Sequence, residues 1–193
     1  MREKHMRTKF FIMKTGKILL LITFCICMGS TFAQKFYRLT NGPVLISGVY
    51  MDSLVRAESN KLFFLFDYET NEVLFKLPVK SLISDNKFID SLIQKEKSYD
   101  IIFKGKIITE YDITTEKSPL EVVIEGALTY KYKSEKLSFN ATITHLPLGS
   151  ATCDISSTIN LDITKYFDNA TSLGINKNVN IIFKELVLER INE

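Results

Sequence analysis

The chain has 193 residues, 25 Lys and Arg against 22 Asp and Glu, three Cys and two His, and it is 46% hydrophobic. That length suits one domain with a core of its own, needing neither disulfides nor metals to hold it. The composition excludes a disordered, collagen-like or disulfide-dense chain, and a net charge of +3 is too small to argue for a nucleic-acid partner.

The first segment reads as a leader. Arg2, Lys4, Arg7, Lys9, Lys14 and Lys17 precede an apolar run from Ile18 to Met28 that only Thr23 interrupts, and Gly29, Ser30 and Thr31 follow. Basic, then apolar, then small is the order of a secretory signal peptide. The run is eleven residues long, whereas a spanning helix needs about 20, which counts against an uncleaved anchor. Acylation at Cys25 or Cys27 would want a small residue just before the thiol, and Phe24 and Ile26 stand there. Cleavage is expected after Ala33, so that residues 1–33 are signal peptide and the mature domain is 34–193; Met13 is an alternative start. Taking the leader's six basic and one acidic residue from 25 and 22 leaves 19 and 21, a net charge of −2. One Cys, Cys153, and one His, His145, remain. No internal disulfide can form, and a zinc site needs three or four ligands. No cofactor, no metal and no catalytic residue are expected.

The rest of the chain alternates apolar and polar residues with a period of two, the signature of half-buried strands. Pro43 to Met51 and Lys61 to Tyr68 look extended. In Glu72 to Lys80, Val73, Phe75, Leu77 and Val79 share one face and Lys76 and Lys80 the other. Asn86 to Lys97 breaks the pattern: Phe88, Ile89, Leu92 and Ile93 recur at helical spacing, with Ser84 or Asp85 to cap the start. Alternation resumes with Ile101, Phe103, Gly105 and Ile107 against Lys104 and Lys106. Leu120, Val122, Ile124 and Leu128 follow, then Leu137, Phe139, Ala141 and Ile143, then Ile155, Ile159, Leu161 and Ile163. A helical turn near Thr164–Asn169 and a last extended run, Val179 to Leu188, complete the chain. Turn signals stand at Tyr68-Glu-Thr-Asn71, Lys117-Ser-Pro119, Lys133-Ser-Glu135 and Pro147-Leu-Gly149. About eight strands with one apolar face each predict an all-β protein, an antiparallel sheet curled into a barrel or sandwich, with one short helix. A membrane barrel would carry aromatic girdles. This chain has no Trp and closes on Glu189-Arg-Ile-Asn-Glu193, so the apolar face is expected to point inward.

Several of these segments resemble the YceI-like family of periplasmic, lipocalin-like β-barrels that bind polyisoprenoid lipids. Leu65 to Leu82 resembles the family's hairpin leading into an F-x-I-P-I-x-S-F strand. Asn86 to Lys97 stands where the family has its helix. Tyr99 to Ile107 resembles a Y-P-x-A-x-F-x-G-x-I strand, and Val122 to Thr129 a V-x-G-x-L-T-I-H-G strand. Two departures stand out: Tyr130-Lys-Tyr132 replaces Ile-His-Gly, and Asp100 replaces Pro. The resemblance implies an eight-stranded lipocalin-like barrel. It also implies a periplasmic or secreted binding protein with an isoprenoid or other lipid as ligand, and it allows a homodimer.

A tunnel lined by Phe, Leu, Ile and Val is enough to bind an isoprenoid tail, since each buried CH₂ contributes about 0.8 kcal/mol. The inward positions Phe64, Phe66, Phe75, Leu77, Phe103, Ile124, Leu128, Phe139 and Ile143 are the candidate ligand-binding residues. The plainer reading of any one of them is core. Gly105 and Gly126 on the same face either leave space or let the strands bend. His145 reads as a loop-edge residue near Pro147, and Cys153 as a small buried side chain. Lys76, Lys80, Lys104 and Lys106 read as a solvated outer face, or else as a basic patch for a pyrophosphate head. The alternative function is an envelope interaction module that keeps the barrel without a ligand cavity. An enzyme is disfavoured, because no nucleophile and base stand at a recognisable spacing.

Overall fold

The computed structural model describes residues 36–109, 119–146 and 152–191. The expected leader and the turns around 117–118 and 147–149 lie outside the described residues. The strands are β1 (Phe36–Tyr50), β2 (Ser53–Asp67), β3 (Glu72–Pro78), β4 (Ile83–Ser84), β5 (Asp100–Ile108), β6 (Leu120–Tyr130), β7 (Lys133–Leu146), β8 (Thr152–Asp162) and β9 (Asn178–Ile191). One α-helix, α1 (Lys87–Lys95), is found among the described residues.

Every strand pairing is antiparallel, and the order runs β1-β9-β8-β7-β6-β5-β3-β2 before β1 pairs again with β2. That last pairing closes an eight-stranded barrel and leaves none of the eight as a free edge. β4 lies outside the closed ring, on β2, through Ala57↔Ser84 and Glu58↔Ile83. Strands run up and down, so all connections fall at two ends. One end carries the β1–β2 and β6–β7 turns, the segment from Val79 to Tyr99 with α1, and the β8–β9 connection.

The alternation in the sequence becomes the inside and outside of this barrel. Phe75, Leu77, Phe103, Ile107, Val122, Ile124, Leu128 and Ile143 are buried, while Lys76, Lys104 and Lys106 are exposed. Lys76 pairs with Asp100 at 2.9 Å and Lys106 with Glu72 at 3.3 Å on the outer surface. Both pairs are too exposed to contribute much.

Local departures have local causes. β1 begins at Phe36, earlier than the expected Pro43. Its ladder with β2 slips on either side of Gly42, and its pairing with β9 is interrupted between Arg38 and Leu45. Pro43 has no N–H to donate, so the strand passes it as a bulge. The turn expected at Lys133-Ser-Glu135 is made two residues earlier: Tyr130 pairs with Lys133, Lys131 takes φ 56, and residues 133–135 belong to β7. The cap of α1 is Asn86, not Ser84 or Asp85. Its side-chain oxygen accepts from the N–H of Phe88 at 3.0 Å and of Ile89 at 3.2 Å. Ser84 and Asp85 instead tie the helix entry to β2, through the carbonyl and N–H of Arg56, each at 3.0 Å. Ile163–Lys165 forms a short 3-10 turn at the start of the segment Thr164–Asn169 where a helical turn is expected, and Thr171–Leu173 forms another beyond it.

β9 changes face in mid-strand. Val179, Ile181 and Phe183 point inward, then Leu186 and Leu188 do. Glu185 at φ 51 is the extra residue, and its N–H donates to Ser156 Oγ at 3.0 Å. This bulge keeps both apolar sets inside although they are out of phase in the sequence.

Candidate functional site

An apolar layer crosses the middle of the barrel. Phe75 stacks on Phe103 with ring centroids 5.1 Å apart and meets Phe183 edge-on at 5.2 Å. Phe64 faces Phe183 at 6.3 Å, and Phe103 faces Phe139 at 5.3 Å. Gly105 and Gly126 pair across β5 and β6, and the Phe103 ring lies over both. A Cβ added at Gly105 would stand 2.6 Å from Phe103 Cζ, and one at Gly126 2.7 Å from the same atom. The inward glycines therefore leave space, but an aromatic ring of this chain fills it.

Above that layer, at the end that carries α1, is a cavity of about 210 Å³. Its walls come from the strand ends: Ile46 and Gly48 of β1, Val55 and Ala57 of β2, Ile101 of β5, Leu128 and Tyr130 of β6, Leu161 of β8, and Val179 and Ile181 of β9. Val79 and Leu82 follow β3, Ile163, Tyr166 and Phe167 come from the β8–β9 connection, and Ile89, Leu92 and Ile93 of α1 form the roof. Register places the aromatic layer beneath it: Phe103 is the next inward residue after Ile101, and Phe183 the next after Ile181. An inward step of two residues along a strand is about 6.6 Å.

All nine candidate residues named from the sequence point inward and are buried. Leu128 lines the cavity; Phe64, Phe66, Phe75, Leu77, Phe103, Ile124, Phe139 and Ile143 do not. Those eight pack against one another as core. The alternation identifies a face but not a height along the barrel, so the cavity walls at the strand ends were passed over. The apolar stripe of α1 was the one signal that pointed to this end.

The lining is almost wholly apolar; the polar residues along it are Tyr50, Arg56, Glu96, Tyr130 and Tyr166. Lys131, on the β6–β7 turn, pairs with Glu96 at the C-terminus of α1 at 2.8 Å. Its ammonium also stands 5.1 Å from the Tyr130 ring centroid and 5.5 Å from those of Tyr99 and Phe167. The hydrogen bond to Glu96 raises the Lys131 pKa, so the side chain stays charged. Burial, then Glu96, raises that of the Tyr130 phenol. Burial pushes the Tyr166 phenol up to about 12, and its hydroxyl reaches the Leu128 carbonyl at 3.4 Å. These contacts fasten the roof; α1 itself contains no buried residue.

The opposite end holds a second titratable cluster. His145 is the second-last residue of β7, paired across the strands with Cys153, and its Nε2 is 2.8 Å from Tyr68 Oη. Cys153 is fully buried, and burial pushes its thiol up to about 12. It stays protonated at neutral pH, as a packing residue does. Burial holds the His145 imidazole below its ordinary 6.5. The unfolded chain therefore takes up the proton first as pH falls. The stability this residue contributes is complete above pH 6.5 and is lost as pH falls through the lower folded value. His145→Gln keeps a hydrogen-bonding side chain without that titration. Denaturant unfolding of both proteins at stepped pH should show the wild type losing stability relative to the variant on acidification. Parallel curves would mean that the imidazole is not held neutral.

No protein-family model and no curated protein sequence match the chain. Solved structures do match. A polyisoprenoid binding domain from Saccharophagus degradans, implicated in plant cell wall breakdown, superposes with a TM-score of 0.61 at 9% identity, over 82% of this chain and 98% of that one. Burkholderia cenocepacia BcnA superposes with a TM-score of 0.55 at 14% identity, over 76% of this chain and 94% of that one. At such identities the likeness establishes the fold, a YceI-like, lipocalin-like barrel, as the sequence resemblance implies. Among the described residues no helix is long and apolar enough to cross a membrane.

Proposed function

We propose that this chain is a secreted or periplasmic binding protein, released by cleavage after Ala33. It holds part of a long apolar ligand, a polyisoprenoid or another lipid, in the cavity under α1. The observation that carries this reading is the apolar cavity of about 210 Å³ at the helix end of the barrel. Its walls offer methyl, methylene and ring surfaces to a hydrocarbon tail, and few polar residues line it. Binding of this kind rests on burial of CH₂ groups, with few polar contacts needed. The role is binding rather than catalysis, as the structural likeness to a polyisoprenoid binding domain also supports.

Ligand pockets commonly enclose about 300–1,000 Å³, so this cavity takes one end of a long chain and leaves the rest to pass out beside α1. The same small volume is what favours the second reading, an envelope interaction module with no ligand. Native mass spectrometry of the protein purified from its own cell envelope separates the two. A lipid-sized mass addition that organic solvent removes is the expected result, and repeated spectra of bare protein only would sink the binding role.

A further inference from the structure

The helix that roofs the cavity is fastened to the barrel unevenly. α1 contains no buried residue. Its near backbone neighbours are β4 and the 3-10 turn Val79–Ser81, which belong to the same excursion between β3 and β5. Beneath its apolar stripe of Ile89, Leu92 and Ile93 lies the cavity. Of these three, Ile93 alone packs against the buried core. Elements held by few buried apolar contacts are the ones that open locally.

The polar ties gather on the N-terminal side of the helix. Ser81 Oγ and Ser59 Oγ share a hydrogen bond at 2.7 Å, and Ile83 and Ser84 pair with β2. The Asp85 N–H donates to the Arg56 carbonyl at 3.0 Å, and Asp85 Oδ1 accepts from the Arg56 N–H at 3.0 Å. Phe88 then stacks on Tyr50 with centroids 5.3 Å apart. Beyond Phe88, among the described residues, the polar ties from the helix to the barrel run through Glu96. It pairs with Lys131 at 2.8 Å and hydrogen-bonds the Tyr130 side chain. Gln94 reaches back to the Leu82 carbonyl at 3.4 Å, within the same excursion. A cation beside the carbonyl end of a helix is favourable, and three aromatic rings steady this one. Without Lys131, the Glu96 carboxylate would stand at that end alone, where negative charge is disfavoured.

We propose that α1 is a lid over the cavity. Residues 83–86 are its hinge, the Glu96–Lys131 pair is its latch, and a ligand enters beneath the C-terminal end of the helix. Lys97 and Ser98, both exposed, supply the slack between the latch and Tyr99, whose carbonyl accepts from the Val79 N–H at 3.0 Å. A cavity of about 210 Å³ takes one end of a long chain, and lifting the latched end makes the passage for the rest. The entry step rests on the proposed ligand role; the movement of the helix does not.

Hydrogen exchange of the backbone amides tests the movement without a ligand. In the purified full chain, the amides of Asp90 to Lys95 should exchange about tenfold faster in K131M than in the wild type, with those of β3 and β5 unchanged. E96A should act in the same way, and K131R, which keeps the charge, should match the wild type. Stopped-flow mixing with farnesol, followed by tyrosine fluorescence, should show both association and dissociation faster in K131M. A lost ligand contact would raise dissociation alone, and that result overturns the entry route. Equal α1 exchange in wild type and K131M overturns the lid, even in a protein that binds farnesol well. So does exchange that rises as much in β3 and β5 as in α1, which would make the pair a general support of the fold. Faster exchange confined to α1 in a protein that binds no farnesol keeps the lid and fails the ligand role instead.

Discussion

Phe103→Ala should lower the folding stability by about 3–5 kcal/mol, the range for deleting a buried aromatic side chain. Phe103 has no exposed surface. Its ring touches three groups at once: Phe75 in a stack at 5.1 Å, Phe139 edge-on at 5.3 Å, and the backbone of the paired Gly105 and Gly126. The glycines make the site unforgiving. No side chain of theirs can lean into the hole, and the backbone around them is fixed on both sides by the ladder. The cost should therefore fall near the upper end of the range, because it grows with the volume that stays empty. Denaturant titration should show a lower midpoint at unchanged slope, and Phe103→Leu should recover part of the loss. A change below about 1 kcal/mol would mean that the interior is loose enough to refill, contrary to close packing. The hole would also open beneath Ile101, so the surviving fold should accept a deeper ligand tail.

The sequence made some of this architecture readable and concealed the rest for identifiable reasons. Strict alternation, as in Val73, Phe75, Leu77 and Val79, has one reading in a half-buried strand, so the inward faces followed from it, while the choice of a closed barrel over a sandwich came from the family resemblance. The helix was legible because Ile89, Leu92 and Ile93 keep helical spacing between two strands. Asn41-Gly-Pro43 looks like a chain break, yet β1 runs through it as a bulge, since pairing on both sides outweighs the local preference. Lys131 makes the β6–β7 turn at φ 56, a conformation that composition signals assign to Gly or Asn, so the turn appeared displaced. The cavity was hidden because height along a barrel depends on how strands stagger, and no periodicity reports stagger. Ala57, Ile101 and Ile181 alternate just as Phe64, Phe103 and Phe183 do, and only the three-dimensional register separates wall from floor.

That separation makes a wall residue, not a floor residue, the decisive probe of ligand binding. Ala57→Phe should weaken binding of farnesol, taken as a short isoprenoid alcohol, by roughly a hundredfold while the fold persists. Ala57 lies in β2 with its methyl group inward, 7% exposed, and it lines the cavity. A benzyl group in its place would occupy space that is empty in a cavity of about 210 Å³. In a filled interior, added bulk costs about 1–3 kcal/mol; here the ring enters a void, so the stability cost should be smaller. The ligand bears the loss instead. Excluding about four CH₂ or CH₃ groups at about 0.8 kcal/mol each removes about 3 kcal/mol of binding free energy. Glu58→Tyr, at the neighbouring outward position of β2, adds comparable bulk outside the barrel and should leave the affinity unchanged. Calorimetric titration of the three proteins with farnesol gives the comparison. Equal affinity of wild type and Ala57→Phe would remove the cavity under α1 as the binding site.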